Sequence, residues 1–130
     1  MWLTGKNTVI AALSIALKTR SVKQGLIFHS DRGVQYAGQE FSSLLKSNGI
    51  TQSMSRKGNC WDNAVAESFF KTLKTEFVYH KHFQNKEIAK FELFRYIEGF
   101  YHARRIHSAL GGKTPNQMEQ FYLAKQNIAA

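Results

Sequence analysis

A chain of 130 residues is at most one domain of ordinary size, and its 43% apolar and 13% aromatic content argues against disorder. A formal charge of +9 and a pI near 9.9 point to a polyanionic partner, nucleic acid being the commonest, beside the plainer reading of a generally basic surface. The single Cys60 excludes an internal disulfide framework and a Cys-rich zinc site and makes a reducing cytoplasm the simpler expectation; no apolar run approaches the ~20 residues of a membrane span, and the start does not read as a signal peptide.

In chain order, Trp2 and Leu3 read as the stub of a strand. From Asn7, the spacing of Val9, Ala12, Leu13, Ala16 and Leu17 predicts an amphipathic helix, with Lys18, Arg20 and Lys23 toward its carboxy end, where cations suit the helix dipole. Gly25 breaks that pattern, and Leu26 to His29 reads as a buried strand ending at Ser30 and Asp31. Asp31 then stands where functional side chains gather in sheets with parallel strands, or else caps the turn through Arg32 and Gly33. A second helix runs from Ala37 to Ser47, stopped by Asn48-Gly49, and Ile50 to Met54 is another short strand. SRKGNCW, from Ser55 to Trp61, has the composition of a loop, either solvated or laid along a nucleic-acid backbone through Arg56, Lys57 and Asn59.

Asp62 reads as the N-cap of a third helix, with Trp61 packing back on it. In that helix Ala66, Phe70, Leu73 and Phe77 form an apolar stripe, while Glu67, Lys71 and Lys74 fall at i, i+4 and i+7 on the adjacent face. The plain account of those three is a solvated Glu to Lys pairing. Tyr79 to His82 reads as a linker rather than a metal site. Lys86 to His102 forms a long amphipathic helix on Ala89, Leu93, Ile97 and Phe100; Arg104, Arg105 and His107 follow as a dense basic patch, which either contacts nucleic acid or pairs with Glu92 and Glu98. Thr114 and Pro115, as cap and first helical residue, open a last short helix through Met118, Phe121 and Tyr122.

Two carboxylates stand out, Asp31 at a strand end and Glu67 in a helix, with 35 residues between them. A strand end and a helix can each contribute one oxygen ligand to a hard divalent ion for phosphoryl transfer.

The segments HSDRGVQY, SMSRKGNCWDNAVAESFFKTLKTE and FYHARRIHSALGGKTP, beginning at His29, Ser53 and Phe100, are similar to the second half of the integrase-type (DDE) catalytic core of bacterial insertion-sequence transposases. The resemblance runs from about Leu26 to Met118. It implies an α/β, ribonuclease-H-like fold and a triad of two Asp and one Glu holding two divalent ions, Mg²⁺ or Mn²⁺, for cleavage and strand transfer at DNA phosphodiesters. Carried over, Asp31 is the second acid and Glu67 the third, both catalytic and metal-binding. Arg56, Lys57, Lys71, Lys74, Arg104 and Arg105 are the expected DNA contacts. Residues 1–30 contain no Asp or Glu, so the first acid has no counterpart, and the resemblance implies a core truncated before or within its first strands.

The expectation is therefore a single partial catalytic core over 1–130, α-β-α-β-α to about residue 78 and then a helical extension over 84–126, negligibly active alone. The alternatives are a non-catalytic DNA-binding remnant or regulator, and a half-domain that acts once another polypeptide supplies the missing strands and Asp. Expected partners are DNA and a second copy or an intact transposase, in the cytoplasm on the nucleoid. The Leu26 to His29 strand should keep an unpaired edge, with one flank of the core uncovered.

Overall fold

The computed structural model describes residues 5–128, so Trp2 and Leu3 lie outside the described residues. The chain divides into two compact units, Met1–Lys71 and Thr72–Ala130. No helix among the described residues is long and apolar enough to cross a membrane.

The first unit runs α1 (Gly5–Thr19), β1 (Ile27–Ser30), α2 (Gln39–Ser47), β2 (Thr51–Met54) and the start of α3 (Ala64–Glu76). The strands pair in parallel, Ile27 against Thr51 and Ser30 against Met54, with α2 as the crossover. Phe41 and Leu45 of α2 are each 1% exposed and form the core with Leu13 and Ile50. Phe41 makes edge contacts with Phe28 and Tyr36, at centroid distances of 5.2 and 5.7 Å. Polar contacts fix the helix against the strand: Ser42 Oγ donates to Gln52 Oε1, and Gln52 Nε2 donates to the Tyr36 carbonyl.

The stop at Asn48-Gly49 has a physical basis. Gly49 sits at φ +69°, its N–H donating to the Lys46 carbonyl and the Ile50 N–H to the Leu45 carbonyl. This is a Schellman closure, and its accompanying apolar contact joins two core residues, Leu45 and Ile50.

Among the described residues β1 pairs only with β2. Beside it lies an apolar groove of about 410 Å³, lined by Val9, Leu13, Leu17, Leu26, Ile27 and Phe28, and Ile27 is 62% exposed.

The second unit holds the end of α3, α4 (Lys86–Phe94) with a π-helical turn continuing it over Arg95–Tyr101, and α5 (Pro115–Ile128). Its packing is aromatic: Tyr96 is buried and stacks on Phe77 at 4.7 Å and 23°. The periodic stripe on α3 is only partly covered, since Ala66 and Phe70 are exposed and Leu73 and Phe77 half-buried.

α5 starts as read from Thr114 and Pro115 and ends at Ile128, two residues past the expected helical extension. The Gln117 N–H donates to Thr114 Oγ1 at 3.2 Å while the Thr114 N–H donates to Gln117 Oε1 at 2.9 Å, a reciprocal capping box around a buried threonine. Replacing Thr114 by Ala is expected to cost about 1 kcal/mol. Chemical denaturation should show that loss; an unchanged midpoint would mean that the box is not formed in solution.

Candidate functional site

β1 and β2 end side by side, and their carboxy ends are tied together. The Ser55 N–H donates to the Ser30 carbonyl at 2.8 Å, and His29 reaches Ser53 Oγ with Nδ1 at 3.0 Å and Ser55 Oγ with Nε2 at 3.2 Å. Asp31 follows directly. Its Oδ1 accepts from the Gly33 N–H at 2.8 Å, so it does close the turn; Oδ2 has no hydrogen bond among the described residues. A Cβ at Gly33 would come within 2.9 Å of Asp31 Oδ1 and 2.6 Å of the Gln35 amide, so glycine lets the turn close on the carboxylate.

The loop after β2 is held by a clamp that the sequence reading assigned otherwise. Asp62 does not cap a helix: it accepts from the Arg56 N–H and Nε through Oδ2, at 2.9 and 3.0 Å, and from Nη2 through Oδ1 at 2.9 Å. Asn59 caps instead, accepting from the Trp61 N–H and opening a 3₁₀ turn over Cys60–Asn63 that leads into α3. Hydrogen bonding to Arg56 brings the Asp62 carboxyl down to about 2 and raises the guanidinium.

Glu67 lies in the first turn of α3, where the helix dipole favours a carboxylate. Asp31 and Glu67 line one open cleft of about 410 Å³, together with Arg32, Ser55, Lys57, Asn59, Cys60 and Asn63. Both carboxylates are exposed, and Glu67 has no hydrogen bond or ion pair among the described residues. The donor set is hard oxygen, two carboxylates beside amide and hydroxyl oxygens, the chemistry that suits Mg²⁺ or Mn²⁺. Among the described residues no group of three or more His, Cys, Asp and Glu side chains gathers to hold a metal.

The basic candidates separate into two kinds. Arg56 is clamped to Asp62, and Arg105 forks Glu76, with Nη2 to Oε1 at 2.7 Å and Nε to Oε2 at 2.9 Å, while the Tyr96 hydroxyl donates to the same Oε2 at 3.0 Å. Glu92 and Glu98 take Lys81 at 3.1 Å and His102 at 3.4 Å, so neither is the partner of Arg104 or Arg105. Lys57, Lys74 and Arg104 are exposed and make no ion pair among the described residues; Lys71 lies on α3, one turn after Glu67. Sequence reasoning missed Arg32, Ser55 and Asn63 as neighbours of the carboxylates, because the strand pairing and the 3₁₀ turn bring them there.

Two family models described as integrase core domain match the chain, one over residues 48–115 and the other over residues 3–60. The transposase for insertion sequence element IS904 of Lactococcus lactis is 46% identical over 97 residues, covering 75% of this chain and 38% of the relative. An uncharacterized 31 kDa protein of insertion element IS600 from Shigella sonnei is 44% identical over 120 residues, 92% of this chain and 42% of its own length. Transposase InsF for insertion sequence IS3A of Escherichia coli is 43% identical over 113 residues, 87% of this chain and 39% of that protein. The chain thus spans about two fifths of the length of the curated relatives it matches. The integrase core is a ribonuclease-H-like α/β fold whose members generally use a divalent metal, in keeping with the parallel pair, its crossover helix and the oxygen-lined cleft at the strand ends. With matches that between them run from residue 3 to residue 115, this chain belongs to the integrase core domain family.

Proposed function

We propose that the chain acts in DNA transposition as the part of a catalytic core, both units belonging to one domain, that contributes Asp31 and Glu67 to metal-dependent cleavage and strand transfer at transposon ends. The observation that carries this reading is the cleft lined by both acids, which have 35 residues between them in sequence. In the reaction a water or a DNA 3′-hydroxyl bonds to phosphorus as the bond to the departing oxygen breaks in line. Divalent ions, Mg²⁺ or Mn²⁺ and two in the complete site, supply positive charge against that phosphate when bound. Asp31 and Glu67 are their ligands from this chain. Lys57 in the cleft and Lys71 and Lys74 on α3 position the DNA backbone, as does Arg104, each contact making binding salt-sensitive. Arg56 and Arg105 act chiefly by holding the loop and α3 in place. The protein works as an oligomer or beside an intact transposase, in the cytoplasm on nucleoid DNA.

A second reading, DNA binding without chemistry, draws on Lys57, Lys74 and Arg104, cations that make no ion pair among the described residues. Complementation separates the two. Alone, the chain is expected to give negligible strand transfer; with a polypeptide carrying the remaining part of an insertion-sequence relative, it restores processing of a transposon-end duplex, and Glu67→Gln does not. Turnover by the chain alone in Mg²⁺, or rescue by Glu67→Gln, would overturn the proposal. DNA binding that survives Glu67→Gln without any rescue by the wild type would favour the second reading.

A further inference from the structure

We infer that the second unit carries a binding cleft for unpaired nucleotides, formed where the π turn of Arg95–Tyr101 meets the end of the α3 segment. The cleft is about 670 Å³, within the range of sites that enclose small ligands. Its lining combines aromatic rings with the cations Lys81, Arg95 and Arg104 and two carboxylates, Glu92 and Glu98.

Phe94 and Phe100 present rings that are 66% and 42% exposed, while Phe77 and Tyr96 are stacked on each other behind them. Exposed phenyl rings beside a cleft lack the apolar neighbours that usually cover them; a base supplies a flat π face of the right kind. Gly99 also lines the cleft, and nothing approaches within 4 Å of its absent Cβ, so there is open space beside it.

The charges divide in a way that leaves guanidinium groups over. Glu92 is taken by Lys81 and Glu98 by His102, whereas Arg95 and Arg104 make no ion pair among the described residues. Arg95 lies 5.8 Å from the Phe91 ring centroid. Arg104 and Arg105 both donate their N–H to the Phe100 carbonyl, at 2.8 and 2.7 Å, yet Arg105 is committed to Glu76 and Arg104 lines the cleft. π-Helical turns are rare and recur at functional sites, and this one sets the aromatic and basic residues together. Arginine suits both tasks, stacking through its plane and binding phosphate through its fork. A duplex hides its base faces, so rings on the cleft wall favour single-stranded over paired DNA. An apolar protein partner would instead cover Arg95 and Arg104 without neutralising them.

The inference takes from the proposed function only that DNA is the polyanion. The test is fluorescence anisotropy of the full chain with a labelled oligo(dT) and with a duplex of equal length, at one fixed salt concentration. Wild type is expected to prefer oligo(dT). Gly99→Leu, which puts a side chain into that open space, should weaken oligo(dT) binding at least about fivefold, the scale of one stacked base, and leave the duplex within about twofold. Phe100→Ala should do the same, and Arg104→Gln, a surface change that spares the packing, should weaken oligo(dT) in a fold confirmed by circular dichroism. Equal losses for both DNAs in Gly99→Leu, or no loss in a folded Arg104→Gln, would overturn the inference. Duplex binding in the wild type without any preference for oligo(dT) would also overturn it while leaving the proposed function intact; no binding to either DNA would count against both.

Discussion

Titrating Mn²⁺ into the purified chain is expected to give one saturable event in the calorimeter, and Asp31→Asn and Glu67→Gln are each expected to abolish it. Both carboxylates line the same cleft, on elements fixed independently, Asp31 by the paired strand ends and Glu67 by the first turn of α3. A hard divalent ion taken by two carboxylates loses half its charged ligands in either variant, which removes binding from the measurable range. Both side chains are exposed, so Asn and Gln should leave the thermal midpoint almost unchanged, and a lost signal reports the site rather than the fold. Binding retained in either variant would place the ion elsewhere. Absence of binding in a folded wild type would mean that the two acids need a further ligand before they hold metal.

The second large effect is expected at Glu76. Its carboxylate accepts the Arg105 fork and the Tyr96 hydroxyl, so Glu76→Gln leaves an arginine whose side chain is only 26% exposed without its counter-charge. Charged hydrogen bonds of this kind contribute about 1.5–3 kcal/mol, which the 38% exposure of Glu76 reduces to about 1–2 kcal/mol. The thermal midpoint should fall by about 5 °C. The pH dependence has a definite sign. The Arg105 guanidinium holds the Glu76 carboxyl below its usual range, so its contribution is complete above the ordinary glutamate value of 4.5 and is lost as pH falls through the lower value of the folded state. Burial, with help from Glu76, pushes the Tyr96 phenol up to about 12, so stability should also decline as pH rises from 10 toward that value. Denaturation across pH checks both. A wild type and Glu76→Gln that lose stability in parallel below pH 4.5 would show that the fork is not the acid-sensitive element.

Local signals in the sequence carried much of the architecture, for a physical reason. The stop at Asn48-Gly49 and the cap at Thr114 depend on neighbours within about a turn and are satisfied by such neighbours, and the spacing of Val9, Leu13 and Leu17 marks the helix face that packs against Phe41, Leu45 and Ile50. Long-range partnerships were not legible. Asp62 stands where an N-cap belongs, yet a guanidinium six residues earlier offers a stronger pairing, and Asn59 takes the capping role. Arg105 finds Glu76 29 residues away, a pairing that no spacing rule selects. The stripe on α3 shows a different limit: periodicity tells which residues share a face, not what covers that face, and Phe70 is 54% exposed. The π turn left no mark in the apolar pattern of Ala89, Leu93 and Ile97. For the candidate site, the resemblance singles out Asp31 and Glu67, whereas the neighbours that share their cleft depended on the register of two short strands.

The Arg56 to Asp62 clamp makes the two walls of the carboxylate cleft unlike in origin. One wall closes over six residues, a short loop whose closure costs little entropy. The other waits for Ile27 to find Thr51, 24 residues on, before Asp31 has a place to stand. The loop that carries Lys57 can therefore take its shape before Asp31 is positioned, so a chain caught partway through folding would hold one wall of the cleft without the other.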